Sequence, residues 1–206
     1  MEILITSKTH KGKAACIGEL VIDNNRFVRL LNPGHWDQYA DTDFNVGDIW
    51  DIRFTDIDDV EPPHIEDIIV HTKRVVRNVG NFTDFIQNSG VNIFRGSPYS
   101  IFNGLLRWTR NGSGFIGAKG EFPDNSVGFW ISDRNLKLID KHYVYSSPNI
   151  SVGFKRLKYV GFEKPVDLIP AGTLMRISLA RWWKPEDSDL EERCYLQLSG
   201  WYDLPK

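Results

Sequence analysis

The most constraining feature of this sequence is a train of short apolar runs, each closed by turn residues. Residues 3–6, 14–22 and 26–31 are rich in Ile, Val, Leu and Phe. Lys8-Thr9-His10-Lys11-Gly12-Lys13 and Asp23-Asn24-Asn25 separate them. Three such runs joined by tight turns read as an antiparallel meander. A fourth run, 47–54, alternates Trp50, Ile52 and Phe54 with Asp51 and Arg53, the period of a strand with one buried face. A fifth, 65–71, follows the breaker Pro62-Pro63. Five strands in about seventy residues suit a small closed barrel, and the irregular link 32–46 falls where an OB-fold carries its variable connection. An SH3-like barrel fits the same spacing.

The middle of the chain changes character. Residues 81–88 read as a short helix, with Asn81 as N-cap and Phe82, Phe85 and Ile86 on one face; 98–106 reads as a second. Residues 110–120 are Gly-rich and read as a loop, and 129–138 returns to a mixed apolar pattern. Strand periodicity then resumes at 142–145, 152–161, 173–182 and 193–201. Met175, Ile177 and Leu179 share one face, with Arg176 and Ser178 on the other. In the last run Cys194, Leu196 and Leu198 point inward, while Tyr195, Gln197, Ser199 and Trp201 point outward.

An internal echo links the halves. VGDIWDIRF at 46–54 aligns without gaps to AGTLMRISL at 171–179, matching Gly47 to Gly172 and apolar residues at 49/174, 50/175, 52/177 and 54/179. A Gly before a strongly curved barrel strand relieves crowding at the corner. The expected fold is therefore all-β with minor α content: two small OB-like β-barrels joined by a mixed segment with short helices. The expected bounds are 1–78 for the first barrel, 79–138 for the connecting segment and 139–206 for the second barrel.

Composition narrows the function classes. A net charge of -2 excludes a strongly basic packaging protein, although not a local basic surface. With 41% apolar and 25% charged residues, the chain is not of the disordered class. The opening Met1-Glu2-Ile3-Leu4-Ile5-Thr6 has no basic, then apolar, leader pattern, and Cys16 and Cys194 lie far apart without zinc spacing. These features point to a cytoplasmic chain whose cysteines serve as small hydrophobes.

Several segments resemble the prokaryotic dual OB-containing domain family. They are Ala15-Cys16-Ile17-Gly18 with Phe27-Val28-Arg29-Leu30, Pro62 to Asp67, Gly128-Phe129-Trp130-Ile131 and Pro170 to Trp183. The run Arg193 to Tyr202 is the most specific. The resemblance spans nearly the whole chain. It implies two OB-like barrels, no assigned catalytic residues, and, by analogy, a role in nucleic-acid recognition within bacterial conflict or genome-maintenance systems.

An OB barrel binds ligands on its second and third strands and the flanking loops. In the first barrel, one such loop holds Lys8, His10, Lys11 and Lys13, and Lys11 and Lys13 are candidate phosphate contacts. Against this, residues 41–67 carry ten acids and one Arg, a sum of -9. The second barrel is the stronger candidate. Residues 150–184 sum to +5, with Phe154, Tyr159, Phe162, Trp182 and Trp183 interleaved among the cations. Cations that track phosphates beside rings that stack on bases suit single-stranded DNA or RNA. The expected contacts are Lys155, Arg156, Lys158, Arg176, Arg181, Trp183 and Tyr195. Packing inside a small barrel, or along a seam between barrels, is the competing role for the rings.

Two further motifs carry less. GSGFIG at 112–117 matches G-x-G-x-x-G, but Lys119-Gly120 and Pro123 follow where a dinucleotide fold needs a helix, so no cofactor is expected. His64 with Glu66 and Asp67 is the one acid-rich His cluster. It would serve a metal-dependent enzyme, but solvated acids at a strand start explain it as well. The expected function is thus non-catalytic binding of nucleic acid or a nucleotide-like ligand. The alternatives are a protein-interaction module whose acidic first barrel meets a basic partner, and an enzyme with an unrecognised site.

Overall fold

The computed structural model describes residues 1–34, 36–148, 153–187 and 189–204. It divides into two compact units, Met1–Val91 and Asn92–Lys206. The first contains β1 (Glu2–Lys11), β2 (Ala14–Val21), β3 (Phe27–Leu31), β4 (Gln38–Tyr39), β5 (Asp48–Asp56), β6 (Asp67–Asn78) and α1 (Phe82–Asn88). The meander β1-β2-β3 forms as its turns dictate. β3 then pairs in parallel with β6, β6 runs antiparallel to β5, and β5 returns to β1. The five strands close on themselves in OB order, which decides between the two barrel types left open by the sequence. The short β4 pairs with the start of β2 and occupies the variable connection.

Ile3, Leu4, Ile5, Ile17, Leu20 and Ile49 are fully buried in this barrel. Trp50 is also buried, although it sits next to Ile49 and so faces the other way. Phe44 from the connection covers it edge-on at 4.8 Å, and the Lys73 ammonium lies 4.2 Å from the Phe44 ring centre. The helix starts where its cap predicts: Asn81 accepts a hydrogen bond from the Asp84 N–H at 3.0 Å, and Phe82 and Ile86 are buried. The Asn25 amide ties the helix end back to the β2–β3 turn through the Ser89 carbonyl, 2.8 Å away.

The second unit contains β7 (Ile93–Gly96), a 3-10 segment (Pro98–Gly104), β8 (Arg107–Trp108), β9 (Gly114–Gly117), β10 (Val127–Ser132) and β11 (Leu136–Ile139). They are followed by β12 (His142–Ser146), β13 (Phe154–Tyr159), β14 (Leu168–Ile169), β15 (Leu174–Leu179) and β16 (Arg193–Trp201). Its sheet runs β14-β11-β12-β13-β16-β15-β10-β7. β10 and β11 are consecutive, broken only at 133–135. Taken as one bent first strand, they close the same OB circuit, again with a parallel third-to-fifth pair, β13 to β16.

The internal echo is a repeat of position and register. β5 and β15 are both the fourth barrel strand. Ile49 faces Leu4 as Leu174 faces Ile131, and Trp50 faces Ile3 as Met175 faces Trp130. Gly47 and Gly172 have φ of 90° and 83°, and their N–H groups donate to Ile5 and Ser132 on the first strand of each barrel. A left-handed backbone at the strand entry is what glycine supplies there.

Two sequence expectations need correction. Residues 98–106 form no α-helix, because Ile101 is extended and Phe102 and Asn103 sit at φ of 51° and 55°, which splits the segment into two tight turns. Residues 110–120 are not simply a loop, because β9 lies within them and pairs with β16. Residues 92–138 supply β7 to β10 and most of β11 of the second unit. No helix among the described residues is long and apolar enough to cross a membrane.

Candidate nucleic-acid interface

The ligand face of the first barrel is closed by its own charges. Arg29 on β3 donates from Nε and Nη2 to the two carboxylate oxygens of Asp67, each at 2.5 Å. Its Nη1 lies 4.0 Å from Asp37, whose other oxygen is 2.8 Å from Lys11 Nζ. Lys8 donates to the Thr42 carbonyl at 3.0 Å. Of the candidate cations, Lys11 is therefore bound to Asp37, and Lys13 sits exposed on the turn. Cys16 lies beside this network. Burial pushes its thiol up, and the Arg29 guanidinium pulls it partly back. Residues 1–91 carry nine Lys and Arg against fifteen Asp and Glu, net -6, which disfavours a phosphate chain.

The equivalent face of the second barrel is cationic and open. On β13, Lys155 and Leu157 point inward while Phe154, Arg156 and Lys158 point outward. The register sets Arg156 beside Val144 and Lys158 beside His142 on β12. Lys137 on β11 faces Val144 in turn. The outer face of the first three strands therefore presents Lys137, Arg156 and Lys158 in adjoining rows, with Phe154 at the end, 53% exposed. His142 reports the local field: its pKa is lowered by partial burial first and then by the charges of Arg156 and Lys158.

β9 extends this face. β13 and β16 pair only at Lys158/Gln197 and Tyr159/Leu198 and then diverge. β9 fills the wedge. The Arg156 N–H donates to the Gly112 carbonyl at 2.9 Å, its Nε donates to Ser113 Oγ at 3.1 Å, and Gly117 to Phe115 pair with Arg193 to Tyr195. The first glycine of the G-x-G-x-x-G run has a packing cause here, whereas the last one faces only movable side-chain ends. A Cβ on Gly112 would lie 2.7 Å from the Phe154 carbonyl oxygen. One on Gly117 would lie 2.6 Å from the Glu191 carboxylate that pairs with Arg107.

A ladder of cations and rings runs outward from β9. The guanidiniums of Arg107 and Arg193 stand 5.0 and 4.2 Å from the Phe115 ring, Phe115 is 6.0 Å from Tyr195, and Tyr195 is 6.1 Å from Trp183. Trp183 is 54% exposed, yet its backbone is clamped to Arg193 by two hydrogen bonds of 3.1 and 2.9 Å. Arg181 is exposed just before it. Trp182 is half-buried and packs edge-on against Phe122 at 5.7 Å.

Two candidate contacts are corrected. Lys155 is buried, with its ammonium 5.3 Å from the Tyr99 ring and 5.2 Å from Trp108. Arg176 is 1% exposed. Its guanidinium lies 5.2 Å from the Phe129 ring and donates to the Gly128 carbonyl at 3.3 Å. Lys155 shares the inward side of β13 with Leu157, whereas Arg176 alternates as a surface residue would but is covered by Phe129 and the Gly128 backbone. Neither can meet a ligand at the surface. Tyr143, Tyr159 and Trp201 form a ring cluster with centroids 5.0 to 5.8 Å apart, and burial pushes the Tyr143 hydroxyl up to about 12.

Sequence reading missed Lys137, His142, Arg107 and Arg193; Phe115 is buried and serves as the ring that Arg107 and Arg193 rest against. Alternation alone turns Lys137 outward, between Leu136 and Leu138, but its neighbours across the sheet depend on strand register. His64 and Glu66 are buried, and among the described residues no group of three or more His, Cys, Asp or Glu could hold a metal ion.

Comparison with known protein families gives a match over nearly the whole chain. The family model for the dual OB-containing domain, DuOB, covers residues 1–201. No curated protein and no solved structure matches the chain. Two OB circuits in register and a family match over almost every residue agree, and the chain belongs to the dual OB-containing domain family.

Proposed function

We propose that this chain is a non-catalytic binding module for single-stranded nucleic acid, and that the outer face of the second barrel holds the strand. The observation that carries this reading is the set of adjoining rows formed by Lys137 on the first barrel strand and Arg156 and Lys158 on the third, set side by side across Val144 and His142 of the second. Cations tracking a backbone beside exposed rings make a sequence-tolerant surface for single strands. Phe154 and Trp183 supply those rings, each more than half exposed. The first barrel acts as a scaffold for phosphate purposes, since Arg29 and Lys11 are committed to Asp67 and Asp37. A place as an accessory in a conflict or genome-maintenance system fits this reading.

Fluorescence anisotropy with labelled single-stranded DNA and RNA, at low and moderate salt, tests it. The expected result is binding that weakens with salt and quenches Trp emission, with the preferred strand naming the polymer. Absence of binding at low salt sinks the reading.

A further inference from the structure

The barrel of the first unit leaves one long strand edge without a partner. β6 pairs with β3 only through Asp67, Ile68 and Ile69, whereas its other edge follows β5 as far as Asn78. Among the described residues, the backbone of 71–78 makes no hydrogen bond outside the β5 ladder. All eight residues are exposed, Val75 by 54% and Val76 by 42%. Eight residues at strand spacing span about 26 Å of unpaired N–H and C=O groups.

We propose that this edge accepts an extended acidic segment of a partner protein as an added strand. The charges choose the occupant. Lys73, Arg74 and Arg77 line the edge. Lys73 pairs with Asp43, and Arg74 stands 78% exposed with Asp51 at 3.5 Å. Arg77 makes no ion pair among the described residues. Lys73 is committed to Asp43 as Lys11 is to Asp37, so Arg77 and the loosely held Arg74 are the cations that choose the occupant, against the -6 of the unit around them.

A second copy of this chain is a poor fit. Two-fold pairing of β6 with itself would set these cations against their own kind. A nucleic acid would use the cations but leave the backbone donors and acceptors and the two Val side chains unserved. A peptide strand alternating acidic and apolar residues satisfies all three. The register also shows why the edge does not pair indiscriminately. His71 and Val76 are extra residues, each falling between two consecutive β5 positions without a partner of its own, and such bulges twist a strand away from flat partners.

The test uses the full chain and a fluorescein-labelled nine-residue peptide of alternating Glu and Val, with a Lys and Val peptide as control. The expected result is saturable binding of the acidic peptide alone, with amide shifts and slowed hydrogen exchange confined to 71–78 and their β5 partners. Arg74→Glu with Arg77→Glu, both on exposed positions, weakens the peptide at least tenfold. The same pair leaves oligonucleotide affinity unchanged, which separates this edge from the face of the second barrel. The proposal is overturned by equal binding of both peptides, by shifts lying outside 71–78, or by no shift there at millimolar peptide. Single-stranded DNA displacing the peptide from these amides overturns it too.

Discussion

Lys137→Gln combined with Lys158→Gln gives the sharpest quantitative test of the second-barrel face. Both side chains are exposed, and neither makes an ion pair among the described residues, so the pair removes two charges with little effect on the fold. For a single strand, the logarithm of the binding constant falls with the logarithm of salt at about 0.7 per neutralised phosphate, so losing two contacts flattens the slope by about 1.4. Extrapolated from 1 M salt, where counterion release vanishes, this amounts to roughly 15-fold weaker binding at 150 mM and roughly 60-fold at 50 mM. Anisotropy titrations of both proteins at four salt concentrations measure the slope directly. An unchanged slope, or a loss that is the same at every salt concentration, refutes the reasoning, because it would mean that these cations touch no phosphate.

The remaining predictions address other parts of the account. Trp183→Ala and Phe154→Ala should each weaken binding by about 1–3 kcal/mol, roughly 5- to 150-fold, if a base stacks there; a smaller change in both would leave the rings as scaffold. His142 should titrate below the usual His range near 6.5 in the free protein and shift upward when an oligonucleotide neutralises Arg156 and Lys158, read by its ring-proton shifts. Because its folded pKa is the lower one, the His142 contribution to stability is lost as pH falls through the unfolded value toward the folded one, with no change above it; a denaturation midpoint that rises over that window contradicts this. Asp67→Ala should cost about 1–3 kcal/mol in the first unit by leaving Arg29 with Asp37 alone, at 4.0 Å, measured by urea denaturation. Gly112→Ala should loosen β9 by about 2 kcal/mol, since φ is 77° and the new Cβ meets the Phe154 carbonyl, and wild-type hydrogen exchange at 114–117 would contradict it.

Much of the fold is written in local patterns. The strand periods at 47–54 and within 173–182, the cap at Asn81 and the paired glycines at 47 and 172 all depend on neighbours in sequence, and each appears there, although the second strand, Leu174–Leu179, stops three residues short. What stayed hidden depends on register and on distant cover. Arg176 alternates as a surface residue should, but Phe129 and the Gly128 carbonyl lie over it. Lys155 points inward between Tyr99 and Trp108, which are more than forty residues upstream. The Gly-rich run 112–117 looks like a loop because its glycines are read as freedom, whereas Gly112 is there for a left-handed backbone and for lack of room beside the Phe154 carbonyl. The candidate face shares this limit. Arg156 and Lys158 could be found from charge and alternation, but their adjacency to Lys137 and His142 exists only once β11, β12 and β13 are in register.

The central claim is that the second barrel, and not the first, holds the nucleic acid. Backbone amide shifts of the labelled protein, followed while an unlabelled single-stranded oligonucleotide is added, test it most directly. The account predicts perturbations centred on Lys137, His142, Val144, Arg156 and Lys158 and reaching Tyr195 and Trp183. Shifts centred on Lys11, Lys13 and Arg29 of the first barrel would contradict it.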